Sequence, residues 1–502
     1  MSTIRLRFYI AAVVLLTIRP ANTQDKSLRD DADVVVCDAM HSLVPYPMRI
    51  CVIGGISSAA VETVRDSDLG EEAYRLSVMP ERIRIVSSTA AGEFYARKTL
   101  VQLRRADGAY PCVEIEDAPK FRWRGVHLDE SRHFFGKEVV KRILDRMADF
   151  KLNVFHWHLV DSHGWRMPSD RYPELTKRGA MRPQPDWDHW IRDGEVGSNY
   201  GPYSYTKDEI REVVSYAAAR HIKVVPEIEI PGHSREVIIC NPSFTCLKWD
   251  VFMDMIRSQS DQDQAAALCL GNDEVIRFLE NVIDEMSELF PGDVYHIGGD
   301  ECPRGNWKCC PKCQARMKMC GLKSEDELQG WVTRHFVSYL AKKGKKAIGW
   351  DEILEGGLAD GALIMSWRGA EGGIEAANVG HEVVMCPHRK CYLDYPTMEP
   401  DDICSYPRFL KSDWVLPIRT VYSIDPFEGI PESQRKFVIG TQTLNWTEST
   451  WCEKDLMYKM WPRTCANAEI GWTGPGVRTF EDFLARLSRL RMAGDGCGKR
   501  GK

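Results

Sequence analysis

Two hydrophobic rhythms run along the chain, and they change over near Phe121. Ahead of it, the short apolar alternations Asp33-Val-Val-Val-Cys37, Arg49-Ile-Cys-Val-Ile53 and Arg82-Ile-Arg-Ile-Val86 predict β-strands. Ala90 to Arg105 carries Phe94, Leu100, Val101 and Leu103 at helical spacing. An α/β unit with an antiparallel sheet and a helix on one face is therefore expected over residues 24–120. Glu114-Ile-Glu-Asp-Ala-Pro119 reads as a polar connector leading out of it. Beyond Phe121, eight apolar runs predict strands: Trp123–Asp129, Leu152–Val160, Ile222–Ile228, Val294–Gly298, Lys346–Trp350, Ala362–Trp367, Glu382–Cys386 and Phe437–Leu444. Amphipathic helices are predicted between several of them, at Lys137–Phe150, Lys207–Arg220 behind an N-cap at Thr206, Asp273–Leu289 and Glu325–Lys343. Strand–helix repeats of this kind require parallel pairing with right-handed crossovers. Eight of them predict a (β/α)8 TIM barrel over residues 121–495. A doubly wound open sheet is the competing fold.

The barrel is preferred because of what stands at the strand ends. In a barrel the active site is built where strands finish and loops begin. Those ends carry Arg132, Asp161, His233, Asp300 with Glu301, Trp350, Trp367, Tyr392 with Asp394, and Trp446 with Glu448. Carboxylates and a guanidinium among large rings suit a sugar: its hydroxyls hydrogen-bond to the charged groups, and its C–H faces pack on the rings. No glycine-rich phosphate cradle or dinucleotide fingerprint follows any strand. In Tyr295-His-Ile-Gly-Gly-Asp-Glu301 two adjacent acids repel each other, which pushes one towards the pKa of a general acid.

Composition narrows the class further. The 502 residues are 44% hydrophobic and 27% charged, the balance of a globular protein, and 15 are tryptophan. A formal net charge of -6 argues against a nucleic-acid partner. Arg5 and Arg7 followed by apolar Phe8 to Ile18 and small residues at Ala21 to Thr23 read as a signal peptide over residues 1–23, with an uncleaved anchor as the alternative. The mature chain is then expected to lack a membrane span and to occupy an extracellular, lysosomal or periplasmic location. Seventeen cysteines fit that oxidising address, and the odd number leaves at least one unpaired within the chain. Cys302, Cys309, Cys310, Cys313 and Cys320 cluster; disulfides are favoured there over a zinc site, which the Cys310-x-x-Cys313 spacing would allow. His156, His158 and His163 are too few for a ligand set, so neither a metal nor a cofactor is expected at the site. A homodimer is a candidate assembly.

Several longer motifs occur together: Arg124-Gly-Val-His-Leu-Asp-Glu-Ser-Arg132-His-Phe, Leu152-Asn-Val-Phe-His-Trp-His-Leu-Val-Asp161, Pro226-Glu-Ile-Glu-Ile-Pro-Gly-His233-Ser, His296-Ile-Gly-Gly-Asp-Glu301, Gly349-Trp-Asp-Glu-Ile-Leu, Ser366-Trp-Arg-Gly and Asn445-Trp-Thr-Glu448. In this order they resemble glycoside hydrolase family 20, the β-N-acetylhexosaminidases. The resemblance implies an exo-acting retaining enzyme that releases terminal GlcNAc, with GalNAc as a second candidate. It implies substrate-assisted catalysis, in which the sugar's own 2-acetamido oxygen displaces the leaving group. Glu301 would be the acid and then the base, Asp300 would orient the acetamide, and Tyr392 would bind its carbonyl oxygen. Trp350, Trp367 and Trp446 would wall its methyl group; Arg132, Asp394 and Glu448 would hold ring hydroxyls; Asp161 and His233 would tune Glu301. One departure stands out: Asp161 is followed by Ser162-His163, where an Asp-Gln pair is common in the family. Asn445-Trp-Thr447 is formally a glycosylation sequon, expected to be buried beside the pocket and unmodified. A conventional two-carboxylate β-glycosidase and a catalytically silent sugar-binding protein are the alternatives.

Overall fold

The computed structural model describes residues 35–37, 61–80, 82–104, 108–182, 200–258, 263–397 and 415–488. The signal-peptide reading of residues 1–23, the strand read at Arg49–Ile53 and the end of the barrel region near residue 495 lie outside the described residues.

The first sheet has five strands: β1 (Val35–Cys37), β2 (Val61–Arg65), β3 (Tyr74–Met79), β4 (Arg82–Ser87) and β5 (Val113–Asp117). Their order is β1-β5-β3-β4-β2. The three central strands pair antiparallel, and both edge strands join in parallel. A helix at Ala90–Leu103 follows β4, capped by the Thr89 hydroxyl. The segment read as a polar connector is corrected here, because its first half is β5, an inner strand of the sheet. Val113, Ile115 and Asp117 point to the buried face while Glu114 and Glu116 point away. Two glutamates on the exposed face of a period-2 strand masked the alternation.

The eight predicted strands close into one parallel barrel: β6 (Trp123–Asp129), β7 (Val154–His158), β10 (Lys223–Glu227), β11 (Val294–His296), β12 (Lys346–Trp350), β13 (Leu363–Ser366), β14 (Val383–Met385) and β15 (Val438–Thr443). Closure comes from β15 pairing with β6, with Gly440 opposite Trp123. A Cβ on Gly440 would stand 1.7 Å from the Trp123 carbonyl oxygen, so only glycine permits this contact. A small hairpin, β8 (Val160–Asp161) and β9 (Gly164–Trp165), follows β7 and carries Asp161 onto the strand-end face. The helix predicted behind Thr206 spans Lys207–Ala218 and opens with a full capping box between Thr206 and Glu209. Among the described residues no helix is long and apolar enough to cross a membrane.

The small sheet docks on the barrel through a buried polar seam. Arg124 of β6 forms a forked ion pair with Glu72, at 2.7 and 2.9 Å. Lys151 Nζ, fully buried, lies 3.0 Å from Asp117 Oδ2 and donates to the Tyr74 hydroxyl at 2.8 Å. Trp472 Nε1 donates to the other Asp117 oxygen at 2.8 Å. Burial pulls the Lys151 ammonium down and Asp117 opposes it. Removing one partner of such a pair leaves an uncompensated charge. Asp117→Ala is therefore expected to cost about 3–5 kcal/mol of unfolding free energy in a urea titration. A loss under about 1 kcal/mol would mean that the seam contributes like an exposed pair.

Candidate active site

The strand ends converge on two linked groups, one charged and one aromatic. Asp161, on the β8–β9 hairpin, is the hub of the charged group. Its Oδ2 lies 2.7 Å from Arg132 Nη2 and 3.1 Å from His158 Nε2, and its Oδ1 lies 3.2 Å from His233 Nδ1. Burial would raise this carboxyl, but Arg132 and His233 overcome it and hold the acid well below its ordinary range. The other edge of the imidazole faces the adjacent acids: His233 Nε2 lies 3.6 Å from both Asp300 Oδ2 and Glu301 Oε2. Burial lowers the His233 pKa, yet Asp161 and Asp300 raise it to about 10, so the ring is cationic at neutral pH.

Asp300 and Glu301 differ in surroundings although they are adjacent. The Asp300 side chain is 13% exposed and that of Glu301 is 62% exposed. Burial first, with Glu301, Glu227 and Asp161 in the same direction and His233 opposing, raises Asp300 to about 6. Its Oδ1 is buried with no protein donor in reach among the described residues. The backbone that presents the pair is unusual: Gly298, Gly299 and Glu301 all have positive φ, at 63°, 105° and 44°. A Cβ on Gly298 would stand 2.0 Å from Glu229 Oε2, so the Gly-Gly pair is needed both for the left-handed turn and for close approach. His233 also has a positive φ, 43°, and such conformations in non-glycine residues concentrate at functional sites.

The aromatic group forms the other side. Trp446 lies with its ring centroid 6.0 Å from Trp350 and 6.1 Å from Tyr392, and Tyr392 stacks on Trp367 at 5.9 Å and 19°. Arg132 joins the two groups, since its guanidinium sits over the Trp446 ring at 5.1 Å and lies 3.9 Å from Glu448 Oε1. Trp350 is only 1% exposed and packs edge-on against His296 at 4.7 Å, which makes it a floor below the other rings. Burial raises the Tyr392 hydroxyl well above its usual pKa, with Cys386 and Asp300 adding to it, so it stays a donor. Asp394 is buried, and both it and Glu448 act electrostatically on buried Lys459. Asn445 of the sequon is fully buried.

Sequence reasoning missed a layer beneath these residues. Glu227, at the end of β10, is surrounded by imidazoles: it lies 3.0 Å from His156, 2.7 Å from His296 and 3.9 Å from His127, and it pairs tightly with His158. His158 carries that charge on to Asp161; burial lowers its pKa, but Glu227 and Asp161 raise it to about 10. A chain of alternating charge thus runs Glu227–His158–Asp161–His233–Asp300. Its sequence signal was two acids among apolar residues, Glu227 at the end of the strand and Glu229 just beyond it. Glu229 is pushed well up by burial, then by Asp300 and Glu227. Glu352 was missed as well: burial, then Asp300 and Asp351, raises it to about 9, and it accepts from Trp367 Nε1 at 2.9 Å. His163 does not converge with His156 and His158; its Nδ1 instead accepts from Arg132 Nε at 3.3 Å.

Residues 121–475 match the family model described as glycosyl hydrolase family 20, catalytic domain, and residues 16–118 match that of its domain 2. The chain belongs to glycosyl hydrolase family 20. A β-hexosaminidase of Porphyromonas gingivalis is 40% identical over 446 residues, which are 85% of this chain and 54% of that protein. The chain thus spans about half the length of that relative. A β-hexosaminidase of Akkermansia muciniphila is 31% identical, with 90% of both chains covered. Among solved structures, a family 20 exo-β-N-acetylglucosaminidase from Vibrio harveyi, in complex with N-acetylglucosamine, superposes with a TM-score of 0.75 at 33% identity. The match covers 86% of this chain and 67% of that one. The barrel thus lies in the region that matches the family's catalytic domain, and the small sheet in the region that matches its domain 2.

Proposed function

We propose that the chain is an exo-acting, retaining β-N-acetylhexosaminidase that removes terminal non-reducing GlcNAc, with GalNAc as a second candidate, through an oxazolinium intermediate. Most retaining glycosidases supply a carboxylate nucleophile from the protein; here the substrate's acetamide oxygen takes that role. The observation that carries this reading is Asp300. It is a buried carboxylate whose Oδ1 lacks a protein donor among the described residues, and its charge acts on the hydroxyl of Tyr392, which stacks on Trp367. Such an acceptor matches an acetamide N–H whose methyl group needs a dry wall.

Glu301, the more exposed acid, protonates the leaving oxygen and then removes a proton from the attacking water. Asp300 accepts from the acetamide N–H, turns the carbonyl oxygen towards C1 and stabilises the positive charge that develops on the ring. Tyr392 donates to the carbonyl oxygen, and Trp350, Trp367 and Trp446 enclose the methyl group. Arg132 offers a planar fork to the C3 and C4 hydroxyls, and Asp394 and Glu448 bind those at C4 and C6. Asp161 fixes His233 against the acid pair and helps keep that ring cationic. In this reading residues 24–120 form an accessory domain and residues 121–495 the catalytic one. The chain enters the secretory pathway behind residues 1–23, and a homodimer is a candidate assembly.

A thiazoline that mimics the folded-back acetamide separates this mechanism from a two-carboxylate one. It is expected to inhibit hydrolysis of 4-nitrophenyl GlcNAc at least about a hundredfold more tightly than GlcNAc itself, as transition-state mimics do. Inhibition no tighter than that by GlcNAc would exclude the substrate-assisted route. Absence of nitrophenol release at any pH would leave a sugar-binding protein.

A further inference from the structure

We propose that Cys246, Cys269, Cys310 and Cys313 form a structural zinc site that ties together the two loops carrying His233 and the Asp300–Glu301 pair. The four come from three separate places. Cys246 follows the turn Pro242–Phe244, Cys269 precedes the helix Asp273–Leu289, and Cys310 and Cys313 open the helix Pro311–Cys320. Their sulfurs all lie within 4.8 Å of one another. Individual separations are 3.6 Å for Cys246–Cys313, 3.7 Å for Cys269–Cys310 and 3.8 Å for Cys269–Cys313. A tetrahedron with zinc–sulfur bonds of about 2.3 Å has edges of about 3.8 Å.

The arrangement distinguishes zinc from the disulfides favoured on composition. A disulfide joins sulfurs in pairs at about 2.05 Å. Here Cys269 is nearly equidistant from two partners, which is the relation of ligands around one centre. Cys269, Cys310 and Cys313 are buried, whereas Cys309 and Cys320 of the same sequence cluster are exposed. The backbone is shaped for the site too. A Cβ on Gly271 would stand 2.3 Å from Cys313 N, so the 269–271 turn presses directly on the Cys310–Cys313 segment. Four protein ligands close the coordination sphere, which is the signature of a structural rather than a catalytic ion.

The consequence for the active site follows from the chain path. Leu268 N donates to Pro231 O at 3.0 Å, and Ser234 N donates to Ala266 O at 2.9 Å, so the Cys269 segment braces the residues on either side of His233. Trp307 Nε1 donates to Leu268 O at 2.9 Å and ties the same segment to the loop that follows Glu301.

The test is the metal content of the full chain, produced with zinc in the medium and purified without chelator. About one zinc per chain is expected, with the closed four-ligand stoichiometry. Cobalt exchanged into the site should show the visible bands and sulfur charge-transfer absorption of tetrahedral thiolate coordination. Zinc should be lost in Cys269→Ser and Cys313→Ser and retained in Cys309→Ser. If the serine variants do not fold, the wild-type stoichiometry and the cobalt spectrum still decide. Two results would overturn the proposal: a denatured, unreduced mass lower by four hydrogens with these sulfurs in disulfides, or four free thiols that take up no zinc.

Discussion

Replacing Glu301 with glutamine is expected to lower kcat on an unactivated GlcNAc-terminated substrate by about 10²- to 10⁴-fold, the range that a positioned proton donor and acceptor contributes. Glutamine keeps the shape of the side chain but has no acidic proton for the leaving oxygen. KM should stay within a few-fold, because the contacts assigned to binding lie on Arg132, Asp394, Glu448 and the rings. Folding should be spared as well, since the Glu301 side chain is 62% exposed and its removal strands no deeply buried partner. The loss should shrink as the leaving group becomes more acidic, because such a group departs without protonation. Azide should then restore part of the turnover on those substrates by attacking without base assistance. Steady-state kinetics across a series of aryl leaving groups reads this out. A variant with near wild-type kcat on the poorest leaving group would assign the proton to another residue.

For Asp300→Asn, a fall in kcat of about 10²- to 10³-fold on acetamido sugars is expected, comparable to removal of one preorganised electrostatic contact to the transition state. Asparagine preserves an acceptor oxygen but loses the charge that balances the oxazolinium. A plain glucoside, which forms no such ion, should lose far less; equal losses on both would contradict the role. The pH profile supplies an independent check. Burial raises Asp300 to about 6, with His233 opposing and Glu301 adding to it. Lowering the pH through that value protonates the carboxylate and removes its charge, so kcat/KM of the wild type should fall on the acid side of about 6. The amide of the variant does not titrate, and that limb should disappear. An unchanged acid limb in Asp300→Asn would place the ionisation elsewhere. His233, held at about 10 by Asp161 and Asp300 against its burial, remains cationic throughout this range.

What could be read before folding was whatever repeats in one dimension. The eight strand positions follow from apolar runs broken by helical periodicity, and each predicted strand falls in the barrel within a few residues. The acid pair was legible because Gly298-Gly299 ahead of Asp300-Glu301 is a backbone signal as much as a chemical one. β5 was misread because a strand with glutamates on its exposed face resembles a linker when only polarity is counted. The chain from Glu227 through His158 to Asp161 was invisible for a different reason. Its members come from β10, β7 and the hairpin after β7, and nothing in a linear sequence says which charges will share a low-dielectric interior.

By itself, then, the order of residues determined the fold class and singled out Asp300 and Glu301 as the candidate acid pair, because hydrophobic periodicity and local turn chemistry act between near neighbours. Only the tertiary structure decided which of those acids is buried, that His233 is a cation and that four distant cysteines meet around one point. Burial, charge proximity and hydrogen bonding are properties of three-dimensional packing, and they shift how readily each group takes up or releases a proton or a metal ion.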